Sequence, residues 1–295
     1  MAATVAGELS PSYLAGLFDA EGSVSILRCA RKDMTHPKYE LRLCLANTHA
    51  GVLEAVRDQC GGYLHWKENR ARGWRRAGFL YLGNAVAVRF LQRVGGVLVV
   101  KRERARLGVE FFGGGSKCVG KRFVEEGEWA RRELLRERVL ALNAAGESGL
   151  VTGRCDVDYM AGFFDGEGCV GICRSVGGKG SVNPTHRLTV TIVNCDRRPL
   201  EMMQRAFGGS LHVVRHSVES GWRDSYRLCL SSRAAGAFLA AIVGRVIVKR
   251  DVVAAGLEFQ SGVSMRGRYT LPREELKRRD ALRARIAQTN QGGVL

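Results

Sequence analysis

The sequence has few acidic residues, no long hydrophobic run and no paired spacing among its cysteines. Its longest apolar stretch, near Ala234 to Val243, contains a glycine and is too short to span a bilayer. The nine cysteines are odd in number and scattered, which favours a reducing environment over a disulfide framework. The first residues form neither an apolar signal core nor an arginine-rich presequence. We therefore expect an intracellular protein, in a chloroplast, mitochondrion, nucleus or prokaryotic cytoplasm.

The sequence lacks the residues that a phosphate-binding loop, a zinc site or a protein-splicing element requires. The glycine-rich residues 113–116 have no lysine and no flanking strand of the kind that a phosphate-binding loop requires. Cys169 and Cys173 have no second cysteine pair nearby, so they do not form a zinc site. A protein-splicing element lacks support, because the sequence shows no initial cysteine or serine and no terminal His-Asn pair.

The charge balance predicts a polyanionic partner. The chain has 46 lysines and arginines against 29 aspartates and glutamates, a net charge of +17 and a pI near 10.0. Such an excess repels itself unless a negative partner neutralises it. Hydrophobic residues make up 45% of the chain, which excludes a disordered basic tail. Nucleic acid is the partner that this composition favours.

An acidic segment occurs twice in the chain. Tyr13 to Ile26 reads YLAGLFDAEGSVSI, and Tyr159 to Ile172 reads YMAGFFDGEGCVGI, with nine of 14 positions identical. The repetition continues at a nearly constant offset through most of both halves, as far as Asn143 and Asn290. A repeat of this extent predicts two copies of one domain. We expect domains at residues 1–145 and 158–295, joined by a polar linker at 146–157.

Hydrophobic periodicity predicts the order αββαββα in each copy. The expected fold class is α+β, with a four-stranded antiparallel sheet backed by helices on one face. The first helix begins after a Ser10 or Ser12 cap with Pro11 in its first turn. The other elements expected in the first copy are strands near Leu41–Leu45, Tyr63–Lys67 and Trp74–Leu82, and helices at Gly51–Cys60, Ala85–Gly95, Lys101–Phe112 and Glu125–Asn143.

The face of each sheet that no helix covers is the expected DNA-binding surface. Two such sheets side by side would form a concave saddle whose strands read base edges in the major groove. The first strand carries small or apolar residues, so specificity is expected to depend on the other three strands and on DNA shape. The residues expected on this open face are Ser25, Arg31, Arg42, Lys67, Arg75, Arg187, Thr189, Thr191, Arg223 and Arg227.

Glu21 and Glu167 are expected at positions that are unfavourable for a carboxylate unless a cation is bound there. Small residues stand four apart in each first helix, Gly16 with Ala20 and Gly162 with Gly166, so the two helices are expected to pack closely. That packing would bring Glu21 and Glu167 together at two helix C-termini, where the dipoles and mutual repulsion oppose them. Magnesium suits one or two carboxylates plus phosphate oxygens.

The two acidic segments resemble the signature of the LAGLIDADG homing endonucleases. The matching residues are LAGLFDAEG at Leu14 to Gly22 and MAGFFDGEG at Met160 to Gly168, and the resemblance extends from about Ser10 to Asn290. It implies a monomer with two pseudo-twofold-related domains, whose motif helices form the interface and whose sheets straddle a long DNA site. It also implies two cuts across the minor groove with 3′ overhangs.

The resemblance assigns roles to individual residues. Glu21 and Glu167 would coordinate Mg²⁺ or Mn²⁺, with Ca²⁺ supporting binding without cleavage, while Asp19 and Asp165 would be structural. Asn47 and Asn194 would orient water near the metals. Lys101 and Lys249 would be the basic residues near the active site, with Arg104 as an alternative in the first half.

The predicted function is therefore a sequence-specific, metal-dependent DNA endonuclease, encoded in an intron and acting as a monomer. Metal ions between paired carboxylates supply the charge neutralisation and the nucleophile that phosphodiester hydrolysis needs. The alternative is a maturase that binds intron RNA, or a DNA-binding protein that does not cleave. His65 and His212 are expected to be strand residues near DNA rather than general bases.

Overall fold

The computed structural model describes residues 7–30, 37–68, 76–113, 126–147, 156–176, 184–217, 219, 221, 223–263 and 271–291. Its contacts divide the chain into two compact units, Met1–Thr152 and Gly153–Leu295. The division falls inside the segment 146–157 that the sequence suggested as a linker. In the part of the chain that is described, no helix is both long and apolar enough to cross a membrane.

The two units repeat the same series of elements. Unit 1 contains α1 (Pro11–Glu21), β1 (Gly22–Cys29), β2 (Lys38–Asn47), α2 (Ala50–Cys60), β3 (Tyr63–Lys67), β4 (Ala77–Gly83), α3 (Asn84–Val94), α4 (Arg102–Gly113) and α5 (Glu126–Ala145). Unit 2 contains α6 (Val157–Glu167), β5 (Gly168–Ser175), β6 (Thr185–Asn194), α7 (Arg197–Phe207), β7 (Ser210–Val214), β8 (Ser225–Ser231), α8 (Arg233–Ile242), α9 (Arg250–Ser261) and α10 (Arg273–Gln291).

Each unit has one four-stranded antiparallel sheet. The strand orders are β1-β2-β4-β3 in unit 1 and β5-β6-β8-β7 in unit 2. The predicted fold class is confirmed, and the three helices predicted at the end of the first copy are present in each unit. Most predicted boundaries agree to within one or two residues. The fourth strand begins at Ala77 instead of Trp74, which lies outside the described residues.

The alternation of side chains gives each sheet one covered and one open face. In β2, Leu41, Leu43 and Leu45 are buried beneath the helices, while the residues between them are half-buried on the other face. In β6, Leu188, Val190 and Ile192 are buried in the same way. A register shift of one residue would place these apolar side chains in water, so their burial fixes the phase of the open face.

The motif helices α1 and α6 begin at side-chain caps. Ser10 Oγ accepts a hydrogen bond from the Tyr13 N–H at 3.1 Å, and Pro11 occupies the first turn, which confirms Ser10 as the cap. In α6 the cap is Asp156, whose carboxylate accepts from the Tyr159 N–H at 2.7 Å. A side-chain oxygen satisfies a helix N-terminal N–H that would otherwise lack a partner.

The last helix of each unit is tied to the first strand. Asn143 Nδ2 donates to the Val24 carbonyl at 3.1 Å, and Asn290 Nδ2 donates to the Val170 carbonyl at 2.8 Å. Glu147, inside the predicted linker, accepts from the N–H groups of residues 103 and 104 and from Arg104 Nε. The residues immediately after α5 therefore pack onto unit 1.

Candidate active site and nucleic-acid interface

Asp19 anchors the segment that precedes α4. Its side chain is 1% exposed. One carboxylate oxygen accepts from the N–H groups of Val99 and Val100 at 2.7 and 3.0 Å, and the other accepts from the Lys101 N–H at 2.9 Å. Hydrogen bonds to a carboxylate are stronger than neutral ones, and they compensate for its burial. The Asp19 carboxylate therefore stabilises the fold.

Asp165 makes the corresponding contacts in unit 2. It is also 1% exposed, and its carboxylate accepts from the N–H groups of Ile247 and Lys249 at 2.7 and 2.9 Å. Each motif helix is thus fastened, one turn before β1 or β5 begins, to the start of α4 or α9. This buried connection fixes the end of each motif helix, where Glu21 and Glu167 lie.

Lys101 and Lys249 reach the C-terminal ends of the motif helices. The Lys101 ammonium donates to the Asp19 carbonyl, and the Lys249 ammonium donates to the carbonyls of Phe164 at 3.0 Å and Gly166 at 3.1 Å. The last carbonyls of a helix lack helical partners and form the negative end of its dipole, so a cation there is stabilising. The carbonyls that the two lysines contact belong to residues one to three positions before the predicted catalytic glutamates.

Arg104, the alternative to Lys101, has different partners. It is 8% exposed, and its guanidinium contacts Glu147, the Asn143 side chain and the Val100 carbonyl. These contacts connect α4 to the end of α5. The structure therefore brings Lys101, and not Arg104, to the carbonyls of the motif helix.

Glu21 and Glu167 are the last residues of α1 and α6 and are half-exposed. In unit 2, Asn194 Nδ2 donates to Glu167 Oε1 at 2.8 Å. The strand register explains this contact. β5 begins at Gly168, directly after the glutamate, and pairs with Ile192, so the end of β6 at Asn194 lies beside the helix end.

Asn47 has the same place in unit 1. Its side-chain oxygen accepts from the His49 N–H at 2.8 Å, as that of Asn194 accepts from the Asp196 N–H at 2.8 Å. Both asparagines thus hold their oxygen on the turn after the strand, and Asn47 is 9% exposed. Each unit therefore presents one glutamate, one asparagine and one lysine at the junction of its motif helix and first strand.

The donor set of each unit matches part of a magnesium site. Among the described residues, no group of three or more histidine, cysteine, aspartate or glutamate side chains could hold a metal on its own. Magnesium does not need such a group, because it keeps several waters and binds one or two carboxylates plus substrate phosphates. Since Asp19 and Asp165 are committed to backbone N–H groups, the carboxylates suited to this role are Glu21 and Glu167.

The open face of unit 1 carries three of the predicted DNA-binding residues. Ser25 and Arg42 face each other across β1 and β2, and Lys67 ends β3 with its side chain exposed. The Arg42 guanidinium lies 5.9 Å from the centre of the Tyr81 ring. Arg31 and Arg75 lie outside the described residues.

The open face of unit 2 carries four of the predicted DNA-binding residues. Its pattern in β6 and β8 gives exposed Arg187 and Arg227 and half-buried Thr189 and Thr191. Arg223 is exposed two residues before β8. His65 and His212 are exposed strand residues on the two open faces, at equivalent places beside β4 and β8.

The small residues predicted to permit helix packing differ in burial. Gly16 and Gly162 are buried, whereas Ala20 and Gly166 are half-buried. All four lie within α1 or α6, one helical turn apart in each pair.

The sequence interpretation missed the aromatic residues of the open face in unit 1. Tyr63 is 68% exposed, and Phe79 and Tyr81 are half-buried on the same face. Strand alternation places these residues on the same face as Lys67, so the signal was present. Unlike lysine and arginine, these rings carry no charge, so a prediction of DNA contacts from charge and small polar residues does not identify them.

The architecture described above matches solved LAGLIDADG proteins across almost the whole chain. The meganuclease I-SmaMI bound to an uncleaved DNA target with calcium ions has a TM-score of 0.68 and 13% identity, covering 96% of this chain and 100% of that one. This protein has the LAGLIDADG fold. The LAGLIDADG meganuclease I-AabMI bound to uncleaved DNA has a TM-score of 0.62 and 16% identity, covering 93% and 98%. The LAGLIDADG homing endonuclease I-LtrWI bound to target DNA has a TM-score of 0.63 and 14% identity, covering 93% and 96%.

Comparison by sequence gives no such match. No model of a known protein family matches the chain, and a search among curated proteins finds no relative. The chain thus shares the LAGLIDADG fold with these proteins although only 13% to 16% of the aligned residues are identical. The fold predicted from the two acidic motifs is confirmed by the structural comparison.

Proposed function

We propose that this protein is a sequence-specific homing endonuclease that makes a metal-dependent double-strand break in a long DNA target. The observation that carries the proposal is the duplicated site. Each unit places a glutamate at the end of its motif helix, beside an asparagine from the second strand and a lysine at the helix carbonyls. The proteins of similar fold include structures of homing endonucleases bound to target DNA and to cleaved DNA.

Glu21 and Glu167 are proposed to bind the divalent metal ions. Each is the last residue of its motif helix, where the negative end of the helix dipole opposes a carboxylate. A cation beside each glutamate would relieve this unfavourable interaction, which supports divalent metal binding.

The metals would be held by Glu21 and Glu167 together with phosphate oxygens of the DNA. When bound, Mg²⁺ or Mn²⁺ supplies a nucleophilic water at neutral pH and neutralises charge on the phosphate that is cut. Asn47 and Asn194 would orient water beside the glutamates. Lys101 and Lys249 would keep the helix ends in place and add positive charge near the phosphate.

DNA binding is assigned to the open sheet faces. The net charge of +17 supplies affinity that depends on salt and carries no sequence information. Side chains on the open faces, including Arg42, Arg187 and Arg227, would read base edges. The chain would act as a monomer because it contains two copies of the proposed catalytic residues.

The first test is a selection for cleavage. Full-length protein with Mg²⁺ is incubated with a randomised duplex library, and the ends of the cut molecules are sequenced. We expect one long site, cut on both strands with 3′ overhangs, no cutting in EDTA, and binding without cutting in Ca²⁺. Binding of a specific duplex without cutting in Mg²⁺ or Mn²⁺ would contradict the nuclease proposal and favour a non-cleaving DNA-binding protein.

The second test separates the two acids from other carboxylates. Glu167→Gln should reduce double-strand cleavage at least about a hundredfold while leaving the dissociation constant for the duplex within about threefold. Glu137→Gln, at an exposed position of α5, is the matched control and should cleave normally. Faster splicing of a host intron by a cleavage-deficient variant would favour the maturase instead.

A further inference from the structure

Four side chains form a compact cluster on the open face of unit 1, here called the aromatic patch. It consists of Tyr63 and His65 in β3 and Phe79 and Tyr81 in β4. Tyr63 pairs with Tyr81 across the strands, and His65 pairs with Phe79. The ring centres of Tyr63 and His65 are 6.5 Å apart at an interplanar angle of 15°, and those of Phe79 and Tyr81 are 6.5 Å apart at 14°.

The same four positions in unit 2 are chemically different. Ser210 pairs with Cys229, and His212 pairs with Arg227. The histidine is shared. The other three positions, which carry aromatic rings in unit 1, carry the Ser210 hydroxyl, the Cys229 thiol and the Arg227 guanidinium in unit 2. The strand order and register of the two sheets are otherwise alike, so the two open faces differ in chemistry and not in architecture.

Cations border the aromatic patch. The Arg42 guanidinium lies 5.9 Å from the Tyr81 ring centre, and Lys67 is exposed two residues beyond His65. Tyr63 itself is 68% exposed. An exposed apolar surface beside positive charge suits a partner that is negatively charged and also has apolar groups to contact.

Duplex DNA has one such apolar group in its major groove. Thymine presents a C5-methyl group there, whereas guanine presents two acceptors that an arginine can bind bidentately. We propose that unit 1 reads a T·A-rich half-site through contacts between the aromatic patch and thymine methyl groups, while unit 2 reads guanine through Arg227 and Arg187. This inference rests on the proposed DNA-binding function and specifies the base preference of each half of the target.

The test uses the selected duplex and requires no change in the protein. Thymines are replaced by uracils in one half-site at a time, which removes only the methyl groups, and affinity is measured by fluorescence anisotropy in Ca²⁺. Each lost contact should weaken binding about fourfold, the value expected for one buried methyl group. The effect should be confined to one half-site.

Two variants assign that half-site to unit 1. In Phe79→Ala, uracil substitution should no longer weaken binding in that half, because the contact has already been lost. Arg227→Ala is the matched variant at the equivalent position of unit 2. It should keep the uracil effect and relax the preference for guanine in the other half.

Each remaining outcome contradicts the inference in a different way. A selected duplex whose affinity is insensitive to uracil in both halves would overturn methyl reading and leave the proposed endonuclease intact. Uracil sensitivity that persists in Phe79→Ala would place the contact elsewhere. Failure to select any duplex would overturn both proposals. If Phe79→Ala instead loses affinity for single-stranded oligonucleotides, with the uracil effect absent, the patch stacks on unpaired bases.

Discussion

Gly22 and Gly168 follow the two glutamates directly, and neither position has room for a side chain. A Cβ at Gly22 would lie 2.5 Å from the Phe18 carbonyl oxygen and 2.3 Å from its ring, and one at Gly168 would lie 2.0 Å from the Phe164 ring. The phenylalanine is folded against the start of the strand at both sites. The glycine therefore lets the chain pass from helix to strand immediately after the acid.

Gly22→Ala should lower the free energy of unfolding by about 1–3 kcal/mol, because the added methyl group must displace backbone and a packed ring. Gly96→Ala is the control, since a Cβ there meets nothing within 4 Å, and it should change stability by less than about 0.5 kcal/mol. Denaturant unfolding measures both. Equal effects of the two substitutions would contradict the close approach at Gly22.

Replacing the aspartate of a motif should affect stability differently from replacing its glutamate. Asp19→Asn replaces a carboxylate oxygen by an NH₂ group that cannot accept from the backbone N–H groups, so it should destabilise the fold by about 2 kcal/mol or more. Glu21→Gln should leave the thermal midpoint unchanged or raise it, because it removes a negative charge from a helix C-terminus. A loss of stability in Glu21→Gln as large as that in Asp19→Asn would contradict this division.

At the scale of elements, the final helix of each unit carries a glutamate that binds two arginines. In α10, Glu275 accepts from Arg278 and Arg279 at 2.8 and 2.7 Å, and in α5 Glu128 does the same with Arg131 and Arg132. The hydrogen bond from Arg278, followed by that from Arg279, lowers the pKa of Glu275 from near 4.5 to about 2. The interaction is therefore strongest when the carboxylate is ionised.

The stability that Glu275 contributes should depend on pH with a defined sign. Because its pKa is lowered in the folded state, the contribution is fully present above about pH 4.5 and is lost as the pH falls towards 2. Glu275→Gln should cost roughly 1 kcal/mol at pH 7, and the difference from the unmodified protein should shrink steadily below pH 4.5. A difference that is constant between pH 7 and 2.5 would contradict the ion-pair explanation.

The helices and strands were largely predictable, because local sequence signals mark them and the second half of the chain repeats the same signals. The bounds of β3 agree with the prediction, and those of α2, α3 and α4 differ by one residue. Local signals such as the Ser10 cap and the alternation in β2 determine these elements. The partners of Asp19 could not be predicted, since they lie 80 to 82 residues away. For the same reason only the tertiary structure distinguishes Lys101 from Arg104.

At the scale of the whole molecule, the reactivity of the free cysteines can show whether DNA covers the open faces. Cys29, Cys169 and Cys173 are exposed and alternate outwards on β1 and β5, whereas Cys60 lies at the end of α2. If DNA covers the open faces, it should slow alkylation of the first three cysteines by N-ethylmaleimide and leave Cys60 unaffected. Mass spectrometry of the alkylated peptides measures each rate, and equal rates with and without DNA would contradict binding at these faces.

The charge of the molecule predicts how its affinity varies with salt. A protein that neutralises phosphates releases counterions, so the logarithm of its affinity falls linearly with the logarithm of salt concentration. For a net charge of +17, between 50 and 200 mM salt, we expect affinity to fall by about a thousandfold or more. Removing one open-face cation by Lys67→Met should reduce the slope by about one. An affinity independent of salt would contradict the electrostatic component.

The central claim is that the two glutamates, one from each unit, together carry out the cutting of DNA. The measurement that tests it most directly is the rate at which Glu21→Gln/Glu167→Gln linearises a plasmid containing the selected site in Mg²⁺, with duplex affinity measured in parallel. We expect the double variant to form no linear product while its affinity for the duplex is retained. Linearisation by the double variant at the rate of the unmodified protein would contradict it.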